Sequence, residues 1–386
     1  MLISAFKKLA AFSLVALVQG AQEWPVPTFT PEDLQRGLKD KLLHETLTST
    51  GLLAIRIPTS ERNDLLEGIC HCREDLGPEI HGGDKILLAD GLTTRSTIAT
   101  ATVGTDHPLS LPEKDINEKC GDDTFRSMER ARDYVSQAAS DLFVPALDRL
   151  IREALGTASD NSILTTRNGH SYTTISEIVQ DSVNLEHFHS YSKRYSTNAG
   201  EKTPVDQALD WHTDGGLLLA FLPAKSCHDH QDRDDSFRLK LHGSTTEVQA
   251  SFPENQDGEV IVAIMLGAGA ESWLHTPASL KLRATRHAVK MSGGDERAWY
   301  GMMLQVPAES IVQTVPEALT FAELKKSSVH SGGRRFGDDK SHPDSVVVGS
   351  SVGLPSANNY STPFRRRLQH VGKWLTLDSL VNHHYV

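Results

Sequence analysis

The stretch WHTDGGLLLAFL, residues 211–222, decides how this 386-residue chain is interpreted. Its second half is an unbroken apolar run after two glycines, which predicts a short strand buried on both faces. His212 and Asp214 stand just before that strand, so a rigid element would hold an imidazole and a carboxylate two residues apart. Two other His-x-Asp tripeptides, at residues 230–232 and 342–344, lie in a polar stretch and in a Ser- and Gly-rich segment. Only the first tripeptide therefore has the setting of a preorganised site.

A second histidine and an arginine extend the pattern. His287 follows an apolar strand predicted at residues 259–266, and Arg297 follows a turn predicted at Gly293-Gly294. We expect His287 and Arg297 on two strands joined by that turn. Two imidazoles and one carboxylate can bind one face of a six-coordinate iron(II) and leave its other positions open. A guanidinium can hold a small carboxylate through two parallel hydrogen bonds.

With these residues, segments 211–222 and 260–306 resemble the core of the iron(II)/2-oxoglutarate-dependent dioxygenase superfamily, in its isopenicillin N synthase-like branch. That branch carries His-x-Asp before a Gly-containing apolar strand, then Ala-Thr-x-His-x-Val, then Arg-x-Ser ten residues on. The matching positions here are His212, Asp214, Ala284, Thr285, His287, Val289 and Arg297. The resemblance implies that His212, Asp214 and His287 bind iron(II). It also implies that Arg297 pairs with the far carboxylate of 2-oxoglutarate.

The sequence departs from the branch at two points. Trp299 stands where the branch has the serine of Arg-x-Ser, which removes a hydroxyl that helps to hold the carboxylate. The interval between His212 and His287 is also long for the branch. We expect the excess to lie in the polar stretch 225–258, as a loop inserted over the mouth of the site.

The resemblance implies an oxidoreductase that couples decarboxylation of 2-oxoglutarate to oxidation, by hydroxylation, of a small-molecule substrate with O2. It assigns no catalytic residue beyond the metal ligands. Two alternatives stay open. One is an isopenicillin N synthase-like iron oxidase that does not use 2-oxoglutarate, which Trp299 favours. The other is a zinc metalloprotein without oxygenase activity that uses the same three ligands.

Beyond residue 161, short apolar segments separated by Gly, Asp and Asn predict a barrel or sandwich. The predicted strands are 162–166, 171–178, 182–189, 217–222, 237–241, 247–251, 259–266, 280–285 and 298–306. Ahead of them, Thr30 begins an amphipathic helix, residues 52–57 form a strand, and a long helix over 124–155 is kinked at Pro145 and ends at Gly156. Together with the resemblance, this predicts a mainly β fold with flanking helices. Its core is a double-stranded β-helix, or jelly roll, behind an α/β N-terminal region.

The N-terminus predicts export. Lys7-Lys8 precede a ten-residue apolar stretch, residues 9–18, which is too short to span a bilayer and is typical of a signal peptide over residues 1–20. We therefore expect a secreted or lumenal protein without a membrane span in the mature chain. The remaining predicted regions are an N-terminal helical and α/β region at 21–160, the oxygenase core at 161–310, and a flexible segment with a last helix near 363–381 at 311–386.

The net charge and the cysteines argue against two other kinds of protein, a nucleic-acid-binding protein and one with a cysteine zinc site. A net charge of −11 argues against a nucleic-acid-binding protein, which usually carries a basic stripe. Cys70, Cys72, Cys120 and Cys227 allow two disulfides in three pairings. The Cys70-His71-Cys72 tripeptide has no second cysteine pair to complete a zinc site. Free buried thiols or one disulfide fit this spacing better than a metal.

Two further histidines are candidates for the wall of the site. His187 and His189 alternate on one predicted strand and therefore face the same side. They lie where the resemblance places residues beside the cosubstrate, yet a polar barrel wall accounts for them without a binding role. Tyr191 and Trp211 are likewise expected to pack against the site.

Overall fold

A computed structural model describes most of the chain up to residue 330. The described residues are 22–60, 65–88, 90–104, 111–156, 162–195, 207–228, 236–244, 246–254, 256, 258–313, 318–330 and 346–347. The predicted signal peptide and the predicted helix near 363–381 lie outside them.

The described residues form short helices and many strands. In chain order the strands are β1 (Gln22–Pro25), β2 (Thr28–Phe29), β3 (Leu52–Pro58), β4 (Gly83–Leu87), β5 (Thr93–Val103), β6 (Leu164–Thr165), β7 (Ser171–Tyr172), β8 (Val183–Lys193), β9 (Gln207–Asp214), β10 (Leu218–Ser226), β11 (Phe237–Lys240), β12 (Glu247–Ser251), β13 (Glu259–Leu266), β14 (Arg286–Lys290), β15 (Glu296–Leu304), β16 (Ile311–Gln313), β17 (Leu319–Thr320) and β18 (Val346–Val347). The helices are α1 (Pro31–Arg36), α2 (Asp40–Ser49), α3 (Glu67–His71), α4 (Glu113–Cys120), α5 (Asp122–Ser136), α6 (Val144–Leu155), α7 (Ile175–Gln180), α8 (Ala268–Ser272) and α9 (Phe321–His330).

Two sheets form the core. The larger sheet has the order β2-β3-β13-β10-β15-β8-β5-β4, and the smaller has the order β1-β12-β11-β14-β9-β18. An apolar cluster that includes Leu219, Phe221 and Ile261 of the larger sheet and Phe237 and Val248 of the smaller lies between them. Non-consecutive strands are neighbours in both sheets, as in a jelly roll. The predicted fold, mainly β with a jelly-roll core and flanking helices, is confirmed.

Helices cover the outer face of the larger sheet and form a second apolar cluster with it. Thr30 caps α1 through a reciprocal capping box with Asp33, as the sequence predicts. The predicted long helix is a continuous helical run from α5 to α6 that ends at Gly156. A π-helical segment, Gln137–Phe143, lies just before Pro145, where the missing proline N–H leaves the α-helical hydrogen-bond pattern incomplete.

A buried ion pair fastens α5 to the larger sheet. Glu186 of β8 is fully buried, and its carboxylate accepts hydrogen bonds from Arg132 Nε at 2.8 Å and from the Tyr300 hydroxyl at 2.9 Å. The Thr102 hydroxyl also donates to it. Each oxygen of this carboxylate is therefore hydrogen-bonded, which a charge taken out of water requires. The ion pair holds β8 in place from the side opposite the site.

Side chains of β8 alternate strictly between the two faces of the sheet. Glu186 and Phe188 face the helices, whereas His187, His189 and Tyr191 face the space between the sheets. The pairing of β8 with β5 and β15 extends this inner face sideways. Successive inward rows are Arg95–Tyr191–Arg297, Thr97–His189–Trp299, Ala99–His187–Gly301 and Ala101–Leu185–Met303.

Several strand predictions are confirmed and others are wrong. Strands at 247–251 and 259–266 are observed at those bounds. The predicted strand at 171–178 is a two-residue strand followed by α7, because Thr174 and Glu177 form a capping box that starts a helix. The strand predicted at 280–285 is also wrong. A 3-10 turn, Ala278–Leu280, precedes irregular residues there, and the strand begins at Arg286.

The stretch 225–258 is not a simple insertion. Its described part contains β11 and β12, which pair with each other and join the smaller sheet through β14. The expectation of a loop inserted over the mouth is therefore wrong for these residues. The extra chain length between His212 and His287 builds part of the sheet that carries the site.

All four cysteines are paired. Cys70 of α3 is bonded to Cys227, which follows β10, and Cys72 is bonded to Cys120 at the end of α4. The expectation of free thiols or a single disulfide is wrong. The two disulfides link α3 to the residue after β10 and α3's C-terminal end to the end of α4, across sequence separations of 157 and 48 residues.

Among the described helices, none is both long enough and apolar enough to cross a bilayer.

Candidate metal centre

Three side chains of the smaller sheet converge on one point. His212 and Asp214 lie on β9, His287 lies on β14, and β9 and β14 pair so that His287 is opposite His212. One ligand atom from each residue lies within 4.8 Å of the others. Because residues 212 and 214 are two apart, they face the same side of β9. The sequence prediction that these residues assemble into one cluster agrees with this geometry.

Backbone carbonyls orient both imidazoles. His212 Nδ1 lies 2.6 Å from the carbonyl oxygen of Asp210, and His287 Nδ1 lies 3.2 Å from that of Thr285. A carbonyl only accepts, so Nδ1 carries the proton in both rings and Nε2 keeps its lone pair. Metal-binding histidines are commonly fixed in this way. Both rings therefore present the atom that a metal would bind.

The carboxylate completes the cluster. Asp214 Oδ1 is 3.7 Å from His212 Nε2, and Asp214 Oδ2 is buried without a hydrogen-bond partner among the described residues. Burial raises the pKa of Asp214, and the neighbouring His212 partly offsets that rise. A buried carboxylate oxygen without a donor is costly in a metal-free fold. A divalent cation would satisfy it, so these donors fit a metal of the iron(II) or zinc type.

Burial also keeps His287 neutral. The pKa of His287 is well below its usual value, chiefly because the ring is desolvated and then because of nearby His212. Phe237 stacks on this ring at 5.1 Å between ring centroids, with planes only 13° apart. Neutral imidazole is the form that binds metals.

Arg297 and Trp299 lie on the opposite sheet. His287 and Arg297 are joined by a turn, as predicted, but β14 belongs to the smaller sheet and β15 to the larger. Arg297 is buried and faces inward on β15. Trp299 is half-buried on the same face, where its indole stacks on His189 with ring centroids 5.1 Å apart. The position of the branch serine is therefore occupied by a large ring that packs along the wall.

The predicted polar wall is present. The Thr97 hydroxyl lies 2.8 Å from His189 Nδ1. Burial lowers the pKa of His187 to about 3 and that of His189 well below its usual value, with Arg95 adding to both effects. Both rings are therefore neutral at physiological pH. They offer hydrogen-bonding groups to a bound molecule without adding charge.

Sequence reasoning missed Arg95 and Lys325. Arg95 lies on β5 beside Tyr191, in the same row as Arg297. Lys325 of α9 places its ammonium 3.1 Å from Gln305 Oε1, and its charge contributes to the low pKa of His187. Neither residue stands in a recognisable motif. Only the cross-strand register and the packing of α9 bring them to the site.

No protein-family model and no curated protein sequence matches the chain. Solved structures do resemble it. The 2-oxoglutarate complex of dioxygenase for auxin oxidation 1 from Arabidopsis thaliana is 14% identical, with a TM-score of 0.45 over 73% of this chain and 93% of the other. The dioxygenase for auxin oxidation in rice is 12% identical, with a TM-score of 0.47 over 80% and 97%.

A third similar structure is JOX2 in complex with 2OG, Fe and JA. It is 10% identical, with a TM-score of 0.49 over 80% of this chain and 86% of the other. These values describe a distant likeness in fold, and the site of this chain is argued from its own residues. Two of these structures are of dioxygenases for auxin oxidation, and 2-oxoglutarate is bound in the Arabidopsis thaliana and JOX2 structures.

Proposed function

We propose that the protein is an oxygenase that uses iron(II) and 2-oxoglutarate to oxidise a small organic substrate with O2. The observation that carries this proposal is the convergence of His212, Asp214 and His287, with both Nδ1 atoms tied to carbonyls and all three ligand atoms within 4.8 Å. Two imidazoles and one carboxylate on one face are the donor set of non-haem iron oxygenases. Iron(II) held there would supply O2 activation, and the redox chemistry would be that of the metal.

The chain itself supplies position and a dry pocket. The carbonyls of Asp210 and Thr285 hold the imidazoles in one orientation, and Phe237 covers one face of His287. Apolar side chains between the sheets keep bulk water from the inner end of the site. Fixed ligands and a low local dielectric strengthen the interaction of a metal with anionic groups.

Arg297 would orient the cosubstrate. It is buried on the inner face of β15, in the sheet opposite the one that carries the three ligands. A dicarboxylate that reaches from the metal cluster toward β15 would place its far end at this guanidinium. Such a bidentate contact fixes both position and direction.

Trp299 supports a second candidate, an iron oxidase that does not use 2-oxoglutarate. The indole occupies the wall beside Arg297, and no hydroxyl stands at position 299. Release of succinate during turnover would support the 2-oxoglutarate enzyme. Oxygen uptake without succinate would support the oxidase. A protein that holds zinc tightly and takes up no oxygen would contradict both.

We also propose that the protein is exported through the secretory pathway. The predicted signal peptide at 1–20 and the two disulfides support this, because disulfides persist mainly in oxidising compartments. Expression of the full chain in a secreting host tests the proposal. We expect a mature N-terminus near residue 21 in the medium or the lumen. Retention of residues 1–20 on a cytosolic protein would refute it.

Anaerobic reconstitution with iron(II) and 2-oxoglutarate tests the oxygenase proposal. We expect a weak visible charge-transfer band, absent in His212→Ala and weakened in Arg297→Ala. His71→Ala is the matched control, because His71 is exposed on α3. Iron binding without the band would favour the oxidase. Failure to bind iron would contradict the proposed function.

A further inference from the structure

A second arginine faces the cosubstrate end of the site. Arg95 of β5 is opposite Tyr191 of β8, and Tyr191 is in turn opposite Arg297 of β15. The three side chains therefore form one row across three adjacent strands, all on the inner face. Neighbouring strands lie about 4.8 Å apart, so the two arginine backbones are separated by about 10 Å. Two long guanidinium side chains can meet over the tyrosine between them.

The central tyrosine is already linked to Arg95. Arg95 donates a hydrogen bond to the Tyr191 hydroxyl, and Arg95 Nε is buried without a hydrogen-bond partner among the described residues. The pKa of Tyr191 is raised chiefly by burial, Arg95 lowers it, and the charge of Asp214 raises it further. Tyr191 is therefore within electrostatic reach of both Arg95 and the metal cluster. The half-buried Arg95 side chain therefore acts on the inner face of the sheet, where its charge also affects His189.

Trp299 creates the need for another donor. Its indole fills the next inward row, between His189 and Phe221, at centroid distances of 5.1 and 6.0 Å. A carboxylate at Arg297 therefore has no hydroxyl from position 299. A buried carboxylate needs donors for its remaining lone pairs. Within this row, Arg95 and the Tyr191 hydroxyl are the groups that can supply them.

We propose that Arg95 is a second anchor for the far carboxylate of 2-oxoglutarate, which it binds together with Arg297 over Tyr191. The inference rests on the proposed use of 2-oxoglutarate and adds a binding residue to that site. Two charged donors on one carboxylate restrict it more than one arginine does. In this proposal, the row of Arg95, Tyr191 and Arg297 supplies the donors that the branch serine would provide. The protein can therefore bind 2-oxoglutarate with Trp299 at that position.

The test compares two 2-oxo acids that differ only at the far end. 2-Oxoglutarate carries the second carboxylate, whereas 2-oxovalerate has a methyl group in its place. Each is titrated calorimetrically, without oxygen, into the full-length protein loaded with iron(II). For Arg95→Gln we expect a Kd for 2-oxoglutarate that is about 10- to 100-fold weaker and an unchanged Kd for 2-oxovalerate. Arg95→Lys should recover part of the loss, and the exposed Arg36→Gln is the matched control.

If Arg95 and Arg297 bind the same carboxylate, their substitutions should not act independently. The losses in Arg95→Gln and Arg297→Gln should be non-additive in the double variant, because both side chains bind the same group. Equal weakening of both 2-oxo acids in Arg95→Gln would mean only a structural role and would overturn the inference. An unchanged Kd for 2-oxoglutarate would overturn it as well, while the proposed function stands. Absence of 2-oxoglutarate binding to the unmutated protein would overturn both.

Discussion

Removal of Asp214 should affect the stability of the protein in opposite directions with and without metal. In the metal-free protein, Asp214 Oδ2 is buried without a hydrogen-bond partner among the described residues, which costs about 1–3 kcal/mol. The contact with His212 at 3.7 Å offsets part of that cost. Asp214→Ala leaves a small cavity and removes the buried charge. We therefore expect the metal-free variant to be as stable as the parent, or up to about 2 kcal/mol more stable.

Bound metal should reverse the order of stability of the parent and Asp214→Ala. A metal present at 100 times its Kd stabilises the folded protein by about 2.7 kcal/mol. Asp214→Ala keeps only His212 and His287, so it should gain far less at the same concentration. The parent should then be the more stable protein by about 1–3 kcal/mol. The Asp214 carboxylate thus destabilises the metal-free protein and stabilises the metal-bound protein.

Urea unfolding with the disulfides intact measures both effects. The two proteins are compared in chelator and in manganese(II), a stand-in for iron(II) that does not oxidise readily, with the Kd taken from calorimetry. His71→Ala should behave as the parent does under both conditions. If metal-free Asp214→Ala is more than about 1 kcal/mol less stable than the parent, the argument from the buried charge fails. If manganese(II) does not stabilise the parent, the metal site itself is refuted.

Three other substitutions test the surroundings of the site. Arg132→Met leaves the buried Glu186 carboxylate without its cation and should lower the unfolding free energy by about 3–5 kcal/mol in urea unfolding. Trp299→Ser should lower it by about 2–4 kcal/mol, and calorimetry should show 2-oxoglutarate binding about 5- to 10-fold tighter through the new hydroxyl. Burial lowers the pKa of Lys325 to about 8, so Lys325→Met should be about 1–3 kcal/mol more stable at pH 7. The unfolded chain holds this proton up to about pH 10.5, so the stability of the parent rises over about pH 8–10.5 and the difference closes there.

Each of these predictions has a control. A double variant in which Glu186→Gln accompanies Arg132→Met should recover part of the loss, because the buried charge is gone; no recovery would refute the ion-pair argument. Weaker 2-oxoglutarate binding in Trp299→Ser would show that the indole itself supports the cosubstrate. For Lys325→Met, a stability difference that stays constant from pH 7 to 10.5 would rule out the buried ammonium as its cause.

Local sequence was sufficient to single out part of the cluster formed by His212, Asp214 and His287. The setting of His212 and Asp214 before a buried apolar run identified them as a pair, although their own strand, β9, was not predicted. His287 and Arg297 came from the spacing of the resemblance. The succession of short apolar segments predicted a barrel or sandwich, and the resemblance added the jelly roll. Each of these predictions used residues that lie close together in the sequence or that match a known motif.

The rest of the site depends on contacts between distant segments. β5, residues TTRSTIATATV, has weak hydrophobic alternation and was not predicted, although it places Arg95 beside Tyr191. Its pairing partner β8 lies about 90 residues away, and no local pattern encodes that register. The disulfide pairing was open for the same reason. Four cysteines allow three connectivities, and only the packing of α3 selects one.

The alternation of β8 makes the protein intolerant of length changes at that strand. Deletion or insertion of one codon there would shift every later side chain to the other face. Glu186 and Phe188 would enter the space between the sheets, and His187 and His189 would turn toward the helices. Fold and chemistry would then be lost together, since one strand carries both. Descendants of this gene should therefore diversify β8 by base substitution, and vary in length only in the segments that join the strands.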